Sequence, residues 1–418
     1  MQAVQRLMRV CVTSMMICAL PAHAADSRKQ EPWHWVAAWG SAQMVPSPAD
    51  ELPAEHWRDG SLRQIVHTSL GGKRLRVRIS NAFGAEPLEV KGASIAHAVA
   101  LGQSGVTDAK RLTFGGRDAV MIPAGAEYYS DALDFDQKAG SNLAVTLYFG
   151  AAPARQTGHP GSRTTSFFTK GDSVLDTAWP DAGRIVHWYA LSDIEVLAPR
   201  TQKAIAVVGD SITDGYGVTT DTSTRWTDLL AERMARAGQP MGVVNAGIGG
   251  GRLLRDGAGF NLASRFGRDV IGRAGISHAI VLIGVNDFGV LRREGQDSAE
   301  ARAKLVEDLK AAHSQLVERA HLHGICVIGA TLTPYGNSDY YKPGPGNEAD
   351  RLQLNEWIRT SGVFDAVVDF DAVLRDPAQP DRMRKEADID GLHPSLAGFR
   401  LMADAVPLKA LRKCEAGR

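Results

Sequence analysis

The chain has 418 residues, 44% hydrophobic and 22% charged, with Lys+Arg and Asp+Glu balanced at 47 each. That apolar share supports a folded core and excludes a disordered polymer. The charge balance offers no basic face for nucleic acid, the 43 glycines follow no fixed period and exclude collagen, and no apolar run reaches the roughly 18 residues of a membrane span.

Residues 1–24 read as a secretory signal. Arg6 and Arg9 supply the positive start, Val10 to Leu20 a short apolar core, and Ala22-His23-Ala24 a small-x-small cleavage site. Cleavage after Ala24 is expected, giving an exported protein of the periplasm or the medium without stable membrane insertion. Removal takes Arg6 and Arg9 and no acid, so the net charge moves from 0 to −2. It also takes Cys11 and Cys18, leaving Cys326 and Cys414. Cys326 lies in the apolar run Ile325-Cys326-Val327-Ile328 and reads first as a buried thiol, with a bridge to Cys414 as the alternative. No Cys/His group has zinc spacing, and His321-Leu322-His323 reads as a solvated helix end.

From Trp33 to Leu197 the pattern is strand-like. Leu75-Arg76-Val77-Arg78-Ile79-Ser80 alternates as a half-buried strand, and Leu62 to Thr68 and Leu143 to Phe149 are similar. Short strands joined by Gly, Pro, Asn and Asp turns imply an all-β sandwich, jelly-roll-like, over residues 31–198. Trp33, Trp35 and Trp39 read as core residues, with sugar stacking as the alternative. Ala198-Pro199-Arg200-Thr201 is the expected linker.

After Pro199 the texture changes. Apolar runs at Ala204–Val208, Met241–Val244, His278–Ile283, Ile325–Gly329 and Ala366–Val368 read as strands buried on both faces. Amphipathic stretches at Arg225–Ala237, Asp297–His321 and Asn347–Thr360 lie between them, with Asp297 or Ser298 as an N-cap. The alternation predicts an α/β region with a parallel sheet over residues 202–414. Sites in such sheets gather at the carboxyl ends of the strands.

The first strand runs into Gly209-Asp210-Ser211, the second into Asn245-Ala246-Gly247-Ile248-Gly249-Gly250-Gly251, and the third into Gly284-Val285-Asn286-Asp287. Asp390-Gly391-Leu392-His393-Pro394 stands near the C-terminus. A serine hydroxyl needs a base within hydrogen-bond reach to attack a carbonyl. His393 is the candidate base and Asp390 the group that orients it. The Ser211 N–H, a glycine N–H and the Asn286 amide are candidate oxyanion donors. Asp210, Asp214 and Asp287 read as turn-holding residues. Arg252 replaces the third glycine of a dinucleotide fingerprint, which removes that reading. Arg252 itself reads as a surface ion pair or a contact to an anionic or hydroxylated substrate. Tyr340 and Tyr341, in a polar loop, are candidate sugar-stacking residues.

These motifs resemble the SGNH (GDSL-type) hydrolases, a flavodoxin-like three-layer α/β/α family of esterases, lipases and carbohydrate deacetylases. The resemblance covers about Ala204 to Leu411. It implies Ser211 as nucleophile, Asp390 and His393 as its partners, and an oxyanion hole of Ser211, Gly250 and Asn286. Gly249 departs from the serine many members carry. The Trp-rich start and Arg74–Gly84 are similar to secreted GDSL esterases with a leading β-sandwich. The implied activity is hydrolysis of a small-molecule or polysaccharide ester without metal or other cofactor. A short-chain (acetyl) esterase acting on carbohydrate is the first reading. A lipase, lysophospholipase or general arylesterase is the second, and a binding protein with a dead hydrolase domain the third.

Overall fold

Period-two alternation in the first half of the chain folds into two large antiparallel sheets, beside a short antiparallel pairing of Gly158–His159 with Trp188–Tyr189. The computed structural model describes residues 32–414 and 416, so the expected signal at 1–24 lies outside the described residues. One sheet has the order Trp33–Gly40, Leu191–Pro199, Gly72–Ser80, Glu127–Tyr129, with Leu133–Gln137 also paired to Gly72–Ser80. The other runs Gly183–Ile185, Ser166–Lys170, Gly60–His67, Asn142–Phe149, Leu88–Ala98, Val106–Leu112. Their facing side chains, among them Leu75, Val77, Ile79, Val66, Val145 and Leu147, form the sandwich core. Trp39 is buried and meets Trp188 edge-on at 4.9 Å, whereas Trp33 is 51% exposed.

The polar face of the Gly72–Ser80 strand is not solvated as its alternation suggests. Arg78 pairs with Glu127 and Asp193, and Arg76 pairs with Glu195, whose carboxylate is buried. Asp193 also pairs with the buried Arg273 from the second half of the chain. Arg273 further donates to the carbonyls of Ser41 (2.8 Å) and Ser192 (3.1 Å) and lies 3.7 Å from Asp269. A buried charge is tolerated only when paired and hydrogen-bonded, so this network fastens the sandwich to the α/β region.

Apolar runs in the second half become five parallel strands in the order Gly242–Gly247, Ala204–Gly209, Ile276–Leu282, Cys326–Ala330, Ala366–Val368. Numbered along the chain this is 2-1-3-4-5, the flavodoxin-like order with its switch point between the first and third strands. Helices Trp226–Arg236, Ala299–His321, Pro345–Thr360 and Leu396–Ala405 accompany it. Ser298 caps the second through Ala301 N–H at 3.2 Å, and Pro345 opens the third, where its missing N–H costs nothing. The strand Trp33–Gly40 lies along the sheet's free edge. Ala37 N–H donates to Ala274 (3.0 Å), Val243 N–H to Ser69 Oγ (2.8 Å), and Ser41 bridges Asn245. An edge covered in this way is closed to further strand pairing.

Cys326 is buried, as its apolar run requires, but its sulfur is bonded to Cys414 rather than free. His278 lies within 4.8 Å of both sulfurs, yet sulfurs bonded to each other are not thiolate ligands. Among the described residues no helix is long and apolar enough to cross a membrane.

Arg273→Met should cost about 3–5 kcal/mol, because Asp193 and Asp269 stay buried with a partner lost. Urea unfolding of the variant beside wild type measures it, and a loss under 1 kcal/mol would show that the network does not hold the two regions together.

Candidate active site

The strand Ala204–Gly209 is buried along its whole length and delivers the chain to the carboxyl edge of the sheet. There Asp210 caps a four-residue turn, Ser211–Asp214, its Oδ1 accepting from Ile212 N–H at 3.0 Å. The turn leaves Ser211 Oγ 2.9 Å from His393 Nε2, across 182 positions of sequence. His393 Nδ1 is 2.8 Å from Asp390 Oδ2, and Asp390 Oδ1 accepts the backbone N–H groups of Leu392 (3.1 Å) and His393 (2.9 Å). With Nδ1–H donated to the carboxylate, the Nε2 lone pair faces the serine hydroxyl. Burial pushes His393 below its ordinary value although Asp390 pulls it up. Burial pushes Asp390 upward, but hydrogen bonds from His393 outweigh it and hold the carboxylate below its usual range. Hydroxyl, imidazole and carboxylate thus stand in one line that can pass a proton from oxygen to ring.

The second motif lies against the first. Gly251 packs on the backbone of Gly209 and Asp210, and its carbonyl accepts from Asn286 Nδ2 at 2.8 Å. Gly249 N–H is taken by Asp214 Oδ2 (3.2 Å) and Gly251 N–H by the Ile248 carbonyl (2.9 Å). The N–H of Gly250, at φ +69°, has no partner among the described residues. The N–H of Ser211 opens its turn and has none within the helix. One Asn286 amide hydrogen remains beyond the bond to Gly251. These three donors are available at the strand ends where the serine stands.

Tyr341 is not a stacking platform. It is buried, its ring fills the space over Gly289, and its hydroxyl donates to Asn286 Oδ1 at 2.7 Å. The Gly251 carbonyl can only accept, so the amide turns its nitrogen there and its oxygen to the Tyr341 hydroxyl. Tyr340 is 61% exposed and lies under Arg293, whose Cζ is 4.8 Å from the ring centre. Arg252 makes no ion pair among the described residues and donates to the Asp256 carbonyl.

The three aspartates hold turns. Asp287 accepts Leu253 N–H (2.9 Å) and Leu254 N–H (3.1 Å). Asp214 binds Gly249 N–H and also accepts from His159 Nε2, contributed by the sandwich, at 2.9 Å. His159 Nδ1 is 2.8 Å from the Ala42 carbonyl, so both ring nitrogens are held by oxygen partners and the ring is fixed in place. Burial pushes Asp214 upward, but His159, Arg163 and Arg225 outweigh it and keep it ionised. A Cβ on Gly161 would come within 2.0 Å of Asp214 Oδ2, so only glycine lets the sandwich loop approach. Beneath, the buried Arg265 donates to the carbonyls of Ala246 (2.7 Å) and Gly209 (3.0 Å), clamping the ends of two strands. Period and motif point to none of His159, Arg265 and the Tyr341 hydroxyl.

Residues 207–401 match the GDSL-like lipase/acylhydrolase family. This part of the chain is therefore an SGNH-type acylhydrolase domain, and the protein is a carboxylic ester hydrolase with an antiparallel β region before the domain. No curated protein matches the chain at a significant level. Among solved structures, a GDSL-like lipase from Bacteroides thetaiotaomicron is 16% identical, covering 51% of this chain and 91% of its own, with TM-score 0.38. An acetylxylan esterase from Geobacillus stearothermophilus is 18% identical over 50% of this chain and 94% of its own, with TM-score 0.37. An α/β hydrolase from the metagenome of Lake Arreo is 20% identical over 51% and 98%, with TM-score 0.36.

Burial pushes Asp210 up to about 7, with the Asp287 charge adding to the shift. Its folded value lies above the unfolded one, so folding takes up a proton and stability falls as pH rises through this range. Asp210→Asn keeps the cap and removes the buried charge. The variant should be more stable than wild type at pH 8, on the order of 1–3 kcal/mol, and equal to it below pH ~4. Urea melts at both pH values test this, and an advantage at pH 4 as large as at pH 8 would contradict it.

Proposed function

We propose that Ser211, His393 and Asp390 are the nucleophile, base and orienting carboxylate of a short-chain acyl esterase acting on carbohydrate. The observation that carries the reading is the continuous line from Ser211 Oγ through the His393 ring to Asp390. His393 Nε2 takes the hydroxyl proton as Ser211 Oγ attacks the ester carbonyl. The oxyanion is received by the N–H groups of Ser211 and Gly250 and by the free amide hydrogen of Asn286. The Gly251 carbonyl and the Tyr341 hydroxyl together hold that amide in the donating orientation. His393 then gives its proton to the leaving alcohol, and water repeats the sequence to release the acid. Each oxyanion donor of this kind is worth about 3–4 kcal/mol of transition-state stabilisation.

One observation supports a polar alcohol: exposed Tyr216 lies beside His393, ring centres 4.0 Å apart, an aromatic face on the side of the site where the leaving group would lie. Export through the segment at 1–24 belongs to the same reading, and the Cys326–Cys414 disulfide supports it because such bonds persist in oxidising compartments.

Ser211→Ala should lower kcat on p-nitrophenyl acetate by about 10⁴-fold or more with an unchanged melting temperature. Unchanged turnover would remove Ser211 as nucleophile. On the wild type, a sharp fall in kcat/KM beyond short acyl chains is expected; a rise with chain length would favour the lipase reading.

His393 must be neutral to act as base, and its value is held below the ordinary 6.5. The acid limb of kcat/KM should therefore have its midpoint below 6.5, with activity lost as pH falls through it. A midpoint above 7 would contradict the assignment.

A further inference from the structure

The sandwich places one cation beside the proposed base. Arg163 is a non-glycine residue at φ +49°, a backbone conformation that persists only where its surroundings enforce it. Here they do. Arg225 donates to the carbonyl of Ser162, Asp221 N–H donates to the carbonyl of Arg163 at 3.0 Å, and the Asp221 carboxylate takes Thr165 N–H and Thr165 Oγ1 at 2.7 Å each. The loop is thus pinned to the α/β region on both sides of Arg163, and the side chain leaves from a rigid mount.

The guanidinium has no carboxylate within 4 Å among the described residues. Its Nε is buried without a hydrogen-bond partner, and its Nη atoms are hydrogen-bonded to no described group. Its Cζ is 5.8 Å from the centre of the Tyr216 ring, which in turn lies 4.0 Å from the His393 ring. Tyr216 is 44% exposed, so this edge of the site is open. Arg163 also lies close enough to His393 and Asp214 to lower both.

The side of the ester facing His393 is the leaving alcohol, since that ring returns the proton to it. An arginine with unused donors is suited to bind a carboxylate or phosphate through two parallel hydrogen bonds. We infer that Arg163 forms a subsite for a negative charge on the leaving alcohol, making the substrate an acylated acidic saccharide, a sugar that carries a carboxylate. The inference rests on the esterase reading and adds the substrate class to it. A phosphate on the alcohol shares the recognition chemistry, and the experiment separates the two sources.

The test compares kcat/KM of the full protein on three monoacetylated probes: a methyl glucuronoside, the matching methyl glucoside, and glycerol 3-phosphate. The glucuronoside should exceed the glucoside by about tenfold or more at low salt. The advantage should shrink in ~0.5 M NaCl, because the subsite is partly solvated. Arg163→Gln should bring the ratio close to one, and Arg163→Lys should retain part of it. Because the Arg163 side chain makes no hydrogen bond among the described residues, both variants should fold, and their melting temperatures check this. A wild-type ratio near one, a ratio that Arg163→Gln leaves intact, or a preference confined to the phosphate ester would each overturn the proposal. Turnover of none of the probes would instead count against the esterase reading.

Discussion

A carboxylate almost closed to water sits where three parts of the structure meet. Asp214 ends the nucleophile turn, binds the N–H of Gly249 in the neighbouring loop, and accepts from His159 of the sandwich. Unpaired, its charge would be too costly to bury. With the His159 ring hydrogen-bonded to it and Arg163 and Arg225 beside it, the charge becomes a fixed joint. Gly250, the next residue after Gly249, inherits its orientation from that joint. The serine turn, the glycine loop and the sandwich are therefore positioned together, and the precision of the site does not reside in the parallel sheet alone.

The sandwich is thus more than a leading module. Its first strand closes the edge of the parallel sheet, and Arg78 and Asp193 of its charged face meet Gly272 and Arg273 of the Asp269–Arg273 segment. The loop that supplies His159 to the inside of the joint supplies Arg163 to its outer rim. One element thereby serves both rigidity and recognition, which explains why it follows the nucleophile turn so closely at Gly161.

Much of this was legible in the residue order. The five apolar runs mark the parallel strands to within a few positions, because strands buried on both faces leave no alternation to misread. Ser211 and Asn286 stand out because each follows an apolar run that must end at the site, and His393 because a carboxylate and a proline flank it in Asp390-Gly391-Leu392-His393-Pro394. Asp390 is recognisable three residues ahead of His393. The strand Gly72–Ser80 was legible in period and misleading in environment: Arg76 and Arg78 read as solvated, and the carboxylates that pair with them, Glu127, Asp193 and Glu195, stand 49 to 119 positions further along the chain. His159, Arg265 and the Tyr341 hydroxyl were illegible for the same reason. Each acts through contacts between residues far apart in the chain, which leave no periodic trace. Cys326 reads as apolar, and burial is common to a thiol and to a disulfide.

The sandwich begins and ends on paired strands, with Trp33 opposite Pro199. Their pairing ties the two ends of the sandwich together across some 160 residues. The charged face of the later strand is fully neutralised only with Arg273, further still along the chain. Without the later half of the chain, a long edge and several unpaired charges would stand open to solvent, so the sandwich depends on the α/β region to become whole.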